Sequence, residues 1–535
     1  MFFDNDINQV VLMLFSNLDI FIVAFYCVGI IFLAQYVSRS QSGVAKTTED
    51  YFLAGRSLPW WAIGASLIAA NISAEQIIGM SGQGFAVGMA IATYELTAAI
   101  ALIVMAKYFL PLFLEKKIYT MPQFLEQRFD KRVSLVLSFF WLAVYVFINL
   151  TSVLWLGSLA ISSLTGLDLF YGLVLLALLS LAYSLWGGLK AVAMTDIIQV
   201  VLLIFGGLSV SYIALNQISD GAGILNGLGQ VYQLLPEKFD MILSPDHEAY
   251  QDLPGVWVLI GGLWIAHFAY WGFNQYITQR ALGAKSLPEA QKGVMFAAYL
   301  KLLMPFVVVL PGICAAVIYP TLDPADADKA YPMMMSLLPN GLFGLTFAAL
   351  IAAIVSSLAS MTNSISTIFT MDIYRSFAKS SPSQKKLVNI GRNVAWIALV
   401  IAVLCAKPLL GSMESAFQYI QNFTGFFTPG ILVIFLVALF WKKATTLSVL
   451  VAAIMSLILS LAIFLLFPEY PFIHRMGVVF LVSGFGCYLT SLLQGYSDQE
   501  KAINLQGINF STSRAFNINI GIVLFILSLV YLLLW

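Results

Sequence analysis

From Ala62 to Gly84 the chain reads AIGASLIAANISAEQIIGMSGQG, an apolar stretch of membrane-crossing length that turns polar at its middle. Asn71, Ser73, Glu75 and Gln76 sit there between two short apolar halves. In hydrocarbon each unsatisfied backbone or side-chain polar group costs roughly several kcal/mol, so an unbroken lipid-facing helix is a poor reading. Either the helix packs this polar face on its neighbours, or it is broken and its freed backbone groups hold an ion and a solute. The second reading is favoured, because ionisable residues in other spans point the same way.

The chain of 535 residues is 60% hydrophobic and only 10% charged, with apolar runs throughout. That composition belongs to an all-α, polytopic membrane protein whose solvent is the lipid bilayer. The formal net charge is zero, so nothing suggests a nucleic-acid partner. Cys27, Cys314, Cys405 and Cys487 stand alone in apolar runs and read as small packing residues. The acidic start MFFDNDINQ predicts no cleavable signal.

Hydropathy predicts about fourteen spans of roughly 20 residues each. With the N-terminus outside, Lys238, Lys329, Lys407 and Arg475 fall on the external side and Lys301 within a span. Most of the 27 Lys and Arg residues then lie inside, as the positive-inside bias requires. An even number of spans places both termini outside. This is the topology of a multi-pass plasma-membrane protein, in the inner membrane if the source is Gram-negative.

A second interruption is predicted in WIAHFAYWGFNQY, Trp264 to Tyr276, where His267, Gly272 and Asn274 share an apolar context. It falls five spans after the first, and an odd number of spans inverts the second copy of a repeat, setting two broken helices face to face at the midplane. The expected organisation is residues 1–57 as an extra helix and inner loop, and 58–253 as a first five-helix repeat with an external loop. Residues 254–443 then form a second repeat and 444–535 three extra helices.

Glu95 and Lys301 are the ionisable residues most clearly away from span ends, where a charge costs roughly 2.5 to 3.5 kcal/mol. They form an ion pair, or line a wet cavity and bond a polyol, or do both in turn. Asn71, Gln76 and Gln421 offer donors and acceptors together, as a neutral sugar needs. His267 bonds either a backbone carbonyl or the solute. Within AAIVSSLASMTNSISTIF, most hydroxyls need only bond their own helix. Ser356 and Ser357, beside small alanines, could add oxygens for sodium to those of a broken helix. Asp196 either caps a helix or attracts a leaving cation. Tyr94, Tyr270 and Phe417 offer rings for stacking on a pyranose or closing over it. No arginine is expected near a span centre, which argues against a carboxylate solute.

These residues lie within ordered blocks, among them TEDYFLAGRSLPWWAIGASLIAANISAEQIIGMSG, WGGLKAVAMTDIIQV, YWGFNQYITQRALGAKS, AAIVSSLAS, TIFTMDIY and AFQYIQ. Over nearly the whole length the sequence resembles the sodium/solute symporter family, most of all its bacterial sugar carriers. The resemblance implies a LeuT-type five-plus-five core, sodium as the coupling ion, a neutral hexose as solute, and no cofactor or enzymatic activity. It implies sugar contacts at Asn71, Gln76, Glu95, Lys301 and Gln421. Met80, Tyr94 and Phe417 then form an outer gate and Tyr270 an inner one. Sodium is implied at the carbonyls of Ala69, Ile72 and Ala353 with the hydroxyls of Ser356 and Ser357, and Asp196 on the sodium exit route. His267 and Ala98 depart from the family pattern, which has an asparagine and a serine there. Ser360, about one turn on, leaves room for a second ion. Myo-inositol or another polyol is the rival solute, and a channel the rival class. Oligomeric state is not legible.

Overall fold

The computed structural model describes residues 15–37, 47–184, 188–378, 382–411 and 416–535. Among these the regular structure is helical, with one isolated parallel bridge between Leu58 and Ala284. Ten helices are long and apolar enough to cross a bilayer, and three bent pairs bring the number to 13 if each is one span. The structure thus supports an all-helical membrane protein of ten to thirteen spans, against an expectation of about fourteen, with Leu169–Ala182 as a shorter apolar helix besides.

In chain order the elements are α1 (Asn17–Val37), the bent pair α2 (Trp60–Asn71) and α3 (Glu75–Ala86), α4 (Met89–Glu115), α5 (Lys131–Thr165), α6 (Leu169–Ser184) and α7 (Gly188–Ile218). Then come α8 (Leu263–Phe273), α9 (Gln275–Leu282), α10 (Leu287–Ile318), α11 (Leu342–Phe377) and α12 (Gln384–Leu410). The bent pair α13 (Ala416–Gly425) and α14 (Thr428–Phe440) precedes α15 (Thr446–Leu466), α16 (Phe472–Leu493) and α17 (Arg514–Leu533). α4 and α11 are the central posts, buried along most of their length, whereas α1, α15 and α17 are largely exposed. Their exposed Phe25, Leu465 and Phe525 form an apolar exterior suited to lipid. The longer connections carry short helices, as at Ile224–Leu234 and Pro324–Lys329.

The first break lies where the sequence turns polar. α2 stops at Asn71 because Ile72 is extended (φ −79°, ψ 101°), and α3 leaves at 60°. Ser73 and Gln76 cap the new helix reciprocally: the Ser73 Oγ accepts from the Glu75 N–H at 3.1 Å, and the Gln76 Oε1 accepts from the Ser73 N–H and hydroxyl, both at 3.0 Å. This Ser-x-x-Gln cap satisfies donors that lipid could not. A π turn over Glu75–Gly79 follows, of a kind that often marks functional positions.

The second break falls at Asn274 (φ −75°, ψ 125°), inside the predicted stretch. Its Oδ1 accepts from the Tyr276 N–H at 3.3 Å and the Tyr145 hydroxyl at 2.6 Å, capping α9. Two bends were not anticipated. The chain turns by 79° between Ile260 and Leu263, and by 45° between α13 and α14. At the first, a Cβ on Gly262 would lie 2.0 Å from the Ile473 carbonyl oxygen, so only glycine fits. α2 and α10 also approach through glycines: a Cβ on Gly64 would lie 2.6 Å from the Gly293 carbonyl, and one on Gly293 2.7 Å from that of Trp60. Such close crossings are how helices associate where burial from water drives nothing.

Candidate functional site

The end of α2 and parts of α3, α4, α5, α8, α10, α13 and α14 surround a cavity of about 120 Å³. Asn71, Gln76, Glu95, His267, Lys301 and Gln421 all line it, as do Met80, Tyr94, Phe417 and Tyr270. Residues named for different reasons and spread over 350 positions of chain therefore share one wall. Ala98 is buried on α4 but does not line the cavity.

At the centre, the Lys301 ammonium donates to Glu95 Oε2 at 2.6 Å and to Asn71 Oδ1. The Asn71 amide donates to the Tyr270 hydroxyl at 3.0 Å, which also accepts from the Tyr276 hydroxyl at 2.7 Å. Glu95 and Lys301 thus pair and line the cavity at once. Lys301 lies 5.1 Å from the centre of the Trp271 ring, a cation–π contact that offsets part of the cost of burying it. The Gln76 oxygen is occupied by its capping role, which leaves its NH₂ as the free group. Tyr94 stands edge-on to Phe417, ring centres 5.9 Å apart, where α4 meets α13.

Some lining residues were missed. Glu75 belongs to the polar interruption itself, and Asn274 to the second one. Asn149, Trp271 and Thr424 also line the cavity. Asn149, in YVFINL, carries a detectable signal as an amide inside an apolar run, and its segment is a π turn.

The candidate cation groups gather where α2 ends against α11. The Ser357 hydroxyl lies 3.3 and 3.2 Å from the carbonyls of Ala69 and Ala70. Ala353 is one turn away on α11, and Ile72 is the first residue of the break. Ser356 faces elsewhere: its hydroxyl donates to Asp196 Oδ1, and the Ser66 hydroxyl donates to Oδ2. Asp196 lies inside α7, fully buried, so it does not cap that helix.

The buried partner of Asp196 is Arg280, at 4.0 Å. Sequence reasoning did not pick out this buried arginine. Arg280 is fully buried on α9, where it donates to the Ser66 carbonyl at 3.1 Å and to the Tyr276 carbonyl and Ser360 hydroxyl. The Ser360 hydroxyl in turn donates to the Ser356 carbonyl at 2.7 Å. Arg280 is not part of the cavity wall.

The description "Sodium:solute symporter family" matches residues 51–462. This chain belongs to that family. The symporter is 49% identical over 97% of its length to the sodium/glucose cotransporter of Vibrio parahaemolyticus, of which it covers 98%. It is 33% identical over 78% of its length to sodium/myo-inositol cotransporter 2 of Mus musculus, covering 65% of that protein. Its fold matches a solved sodium-coupled sialic acid symporter with a TM-score of 0.79 at 24% identity, over 91% of this chain and 99% of that one.

Proposed function

We propose that this symporter couples inward sodium movement to import of a neutral hexose, galactose or glucose, by alternating access. One observation carries the reading: a single helix end serves both candidate sites. The carbonyls of Ala69 and Ala70 meet Ser357, and the next residue, Asn71, holds Lys301 and Tyr270. A sodium ion held by the carbonyls of Ala69, Ile72 and Ala353 and the Ser357 hydroxyl, with the Ser356 hydroxyl turning to it from Asp196, would pin the α2 end against α11 and so set Asn71 for the solute. That is positive coupling between two ligands. The hexose lies against Asn71, Gln76, Glu95, His267, Lys301 and Gln421. Met80, Tyr94 and Phe417 close it from outside and Tyr270 from inside.

Each broken span heads a run of five segments, α2 to α7 and α8 to α14, with α2 and α3, α8 and α9, and α13 and α14 each counted as one. This order supports a LeuT-type inverted-repeat core, with rocking about the midplane as the transport step. Asp196, on the inner side of the cation groups, is the way station for the departing ion. Both termini lie outside the plasma membrane. One sodium moving through 100 mV supplies about 2.3 kcal/mol and a tenfold gradient about 1.4, enough for a solute ratio of roughly several hundred.

The similarity to the Vibrio sodium/glucose cotransporter favours a hexose, and that to sodium/myo-inositol cotransporter 2 makes myo-inositol the second candidate. Uptake of radiolabelled galactose and glucose into proteoliposomes, under inward sodium or potassium gradients with unlabelled polyols as competitors, tests the reading. Saturable hexose uptake that requires sodium is expected. Sodium-driven uptake of myo-inositol with none of hexose would move the assignment to the polyol.

A further inference from the structure

His267 ends the α-helical part of α8, and its ring lines the cavity. The Nε2 atom lies 2.7 Å from the Thr97 hydroxyl oxygen on α4. That contact alone does not say which partner holds the proton. The answer lies one turn back on α4, where the same hydroxyl sits 2.6 Å from the Thr93 backbone carbonyl. A carbonyl only accepts, and threonine has a single hydroxyl proton, so that proton goes to Thr93. Thr97 then offers His267 only lone pairs, and the hydrogen of this bond must sit on Nε2. Edge-on contacts with Tyr94 and Trp264, ring centres 6.5 and 6.2 Å away, hold the ring in this orientation. Nδ1 is left without a protein partner among the described residues.

We propose that His267 is neutral and that Thr97 fixes it in the Nε2–H tautomer, so that the imidazole presents Nδ1 to the solute as an acceptor only. His267 then selects for a solute hydroxyl that donates. An amide at this position would offer an acceptor and a donor, and would tolerate groups at that carbon that cannot donate. The inference deepens the proposed hexose reading and rests on it. His267 is the specificity residue, and Thr97 is a positioning residue one layer behind it.

Fluorine in place of a hydroxyl keeps a weak acceptor and loses the donor, so a series of monodeoxyfluoro-hexoses isolates the effect. Inhibition of sodium-driven hexose uptake is measured for each analogue in wild type, His267→Asn, Thr97→Val and Thr97→Ser proteoliposomes. The expected result is one ring position at which fluorination weakens inhibition about tenfold in wild type. The penalty at that position alone is relieved in His267→Asn and in Thr97→Val and retained in Thr97→Ser, which restores the hydroxyl. If His267→Asn does not fold, the Thr97 pair carries the test. The same penalties in all four proteins would overturn the inference while leaving hexose transport standing. Absence of wild-type hexose uptake in the same vesicles would instead overturn the hexose reading beneath it.

Discussion

Ser357 is the residue on which ion coupling is expected to turn. Its hydroxyl touches two carbonyls at the end of α2, and no other side chain reaches both among the described hydrogen bonds. Ser357→Ala should raise the half-saturating sodium concentration by about tenfold or more, as for losing one bond to a charged group. Uptake measured against sodium concentration checks this, and an unchanged curve would remove Ser357 from the ion site. Lys301 and Glu95 make a second test. Both are at most 3% exposed, so deleting one partner strands a buried charge, and Lys301→Ala should destabilise the protein by roughly 3 to 5 kcal/mol. Adding Glu95→Gln removes the stranded charge and should recover part of the loss, read as melting temperature in detergent. At this scale much of the cavity was legible, because a charge or amide in an apolar run is costly and therefore conspicuous. Arg280 was not legible: the stretch FNQYITQRALGAKS is polar enough to read as an inner loop, and only the fold shows that α9 is buried.

At the scale of elements, the breaks are capped helix starts placed inside the membrane region. The first was readable because Ser73, Glu75 and Gln76 announce it, and the second because Asn274 does. The bend between α13 and α14 was not, since Phe426 and Phe427 at the joint are as apolar as their neighbours. The π turns at Tyr145–Leu150, Phe268–Phe273 and Pro305–Val309 also escaped. One inserted residue in a helix leaves no compositional mark, although it turns the residues beyond it to a new face. Close crossings are testable here. Gly293→Ala puts a methyl 2.7 Å from the Trp60 carbonyl and should cost about 1 to 3 kcal/mol by forcing α2 away from α10. Because α10 carries Lys301 and α2 carries Asn71, hexose affinity should fall with stability. Loss of stability at full affinity would show that this crossing does not set the cavity.

Across the whole molecule, membership of the sodium:solute symporter family and the observed break join into one claim. On this proposal, sodium and hexose are coupled through the α2 end, whose Ala69 and Ala70 carbonyls meet Ser357 and whose Asn71 lines the cavity. Linkage makes the effect reciprocal, so each ligand must tighten the other by the same factor, typically five- to 150-fold. The most direct measurement is galactose and glucose affinity in purified protein, titrated across a range of sodium concentrations at constant ionic strength with potassium as replacement. The dissociation constant should fall as sodium rises and then level off, and Ser357→Ala should move this fall to higher sodium. Hexose that binds equally tightly with and without sodium would contradict this coupling.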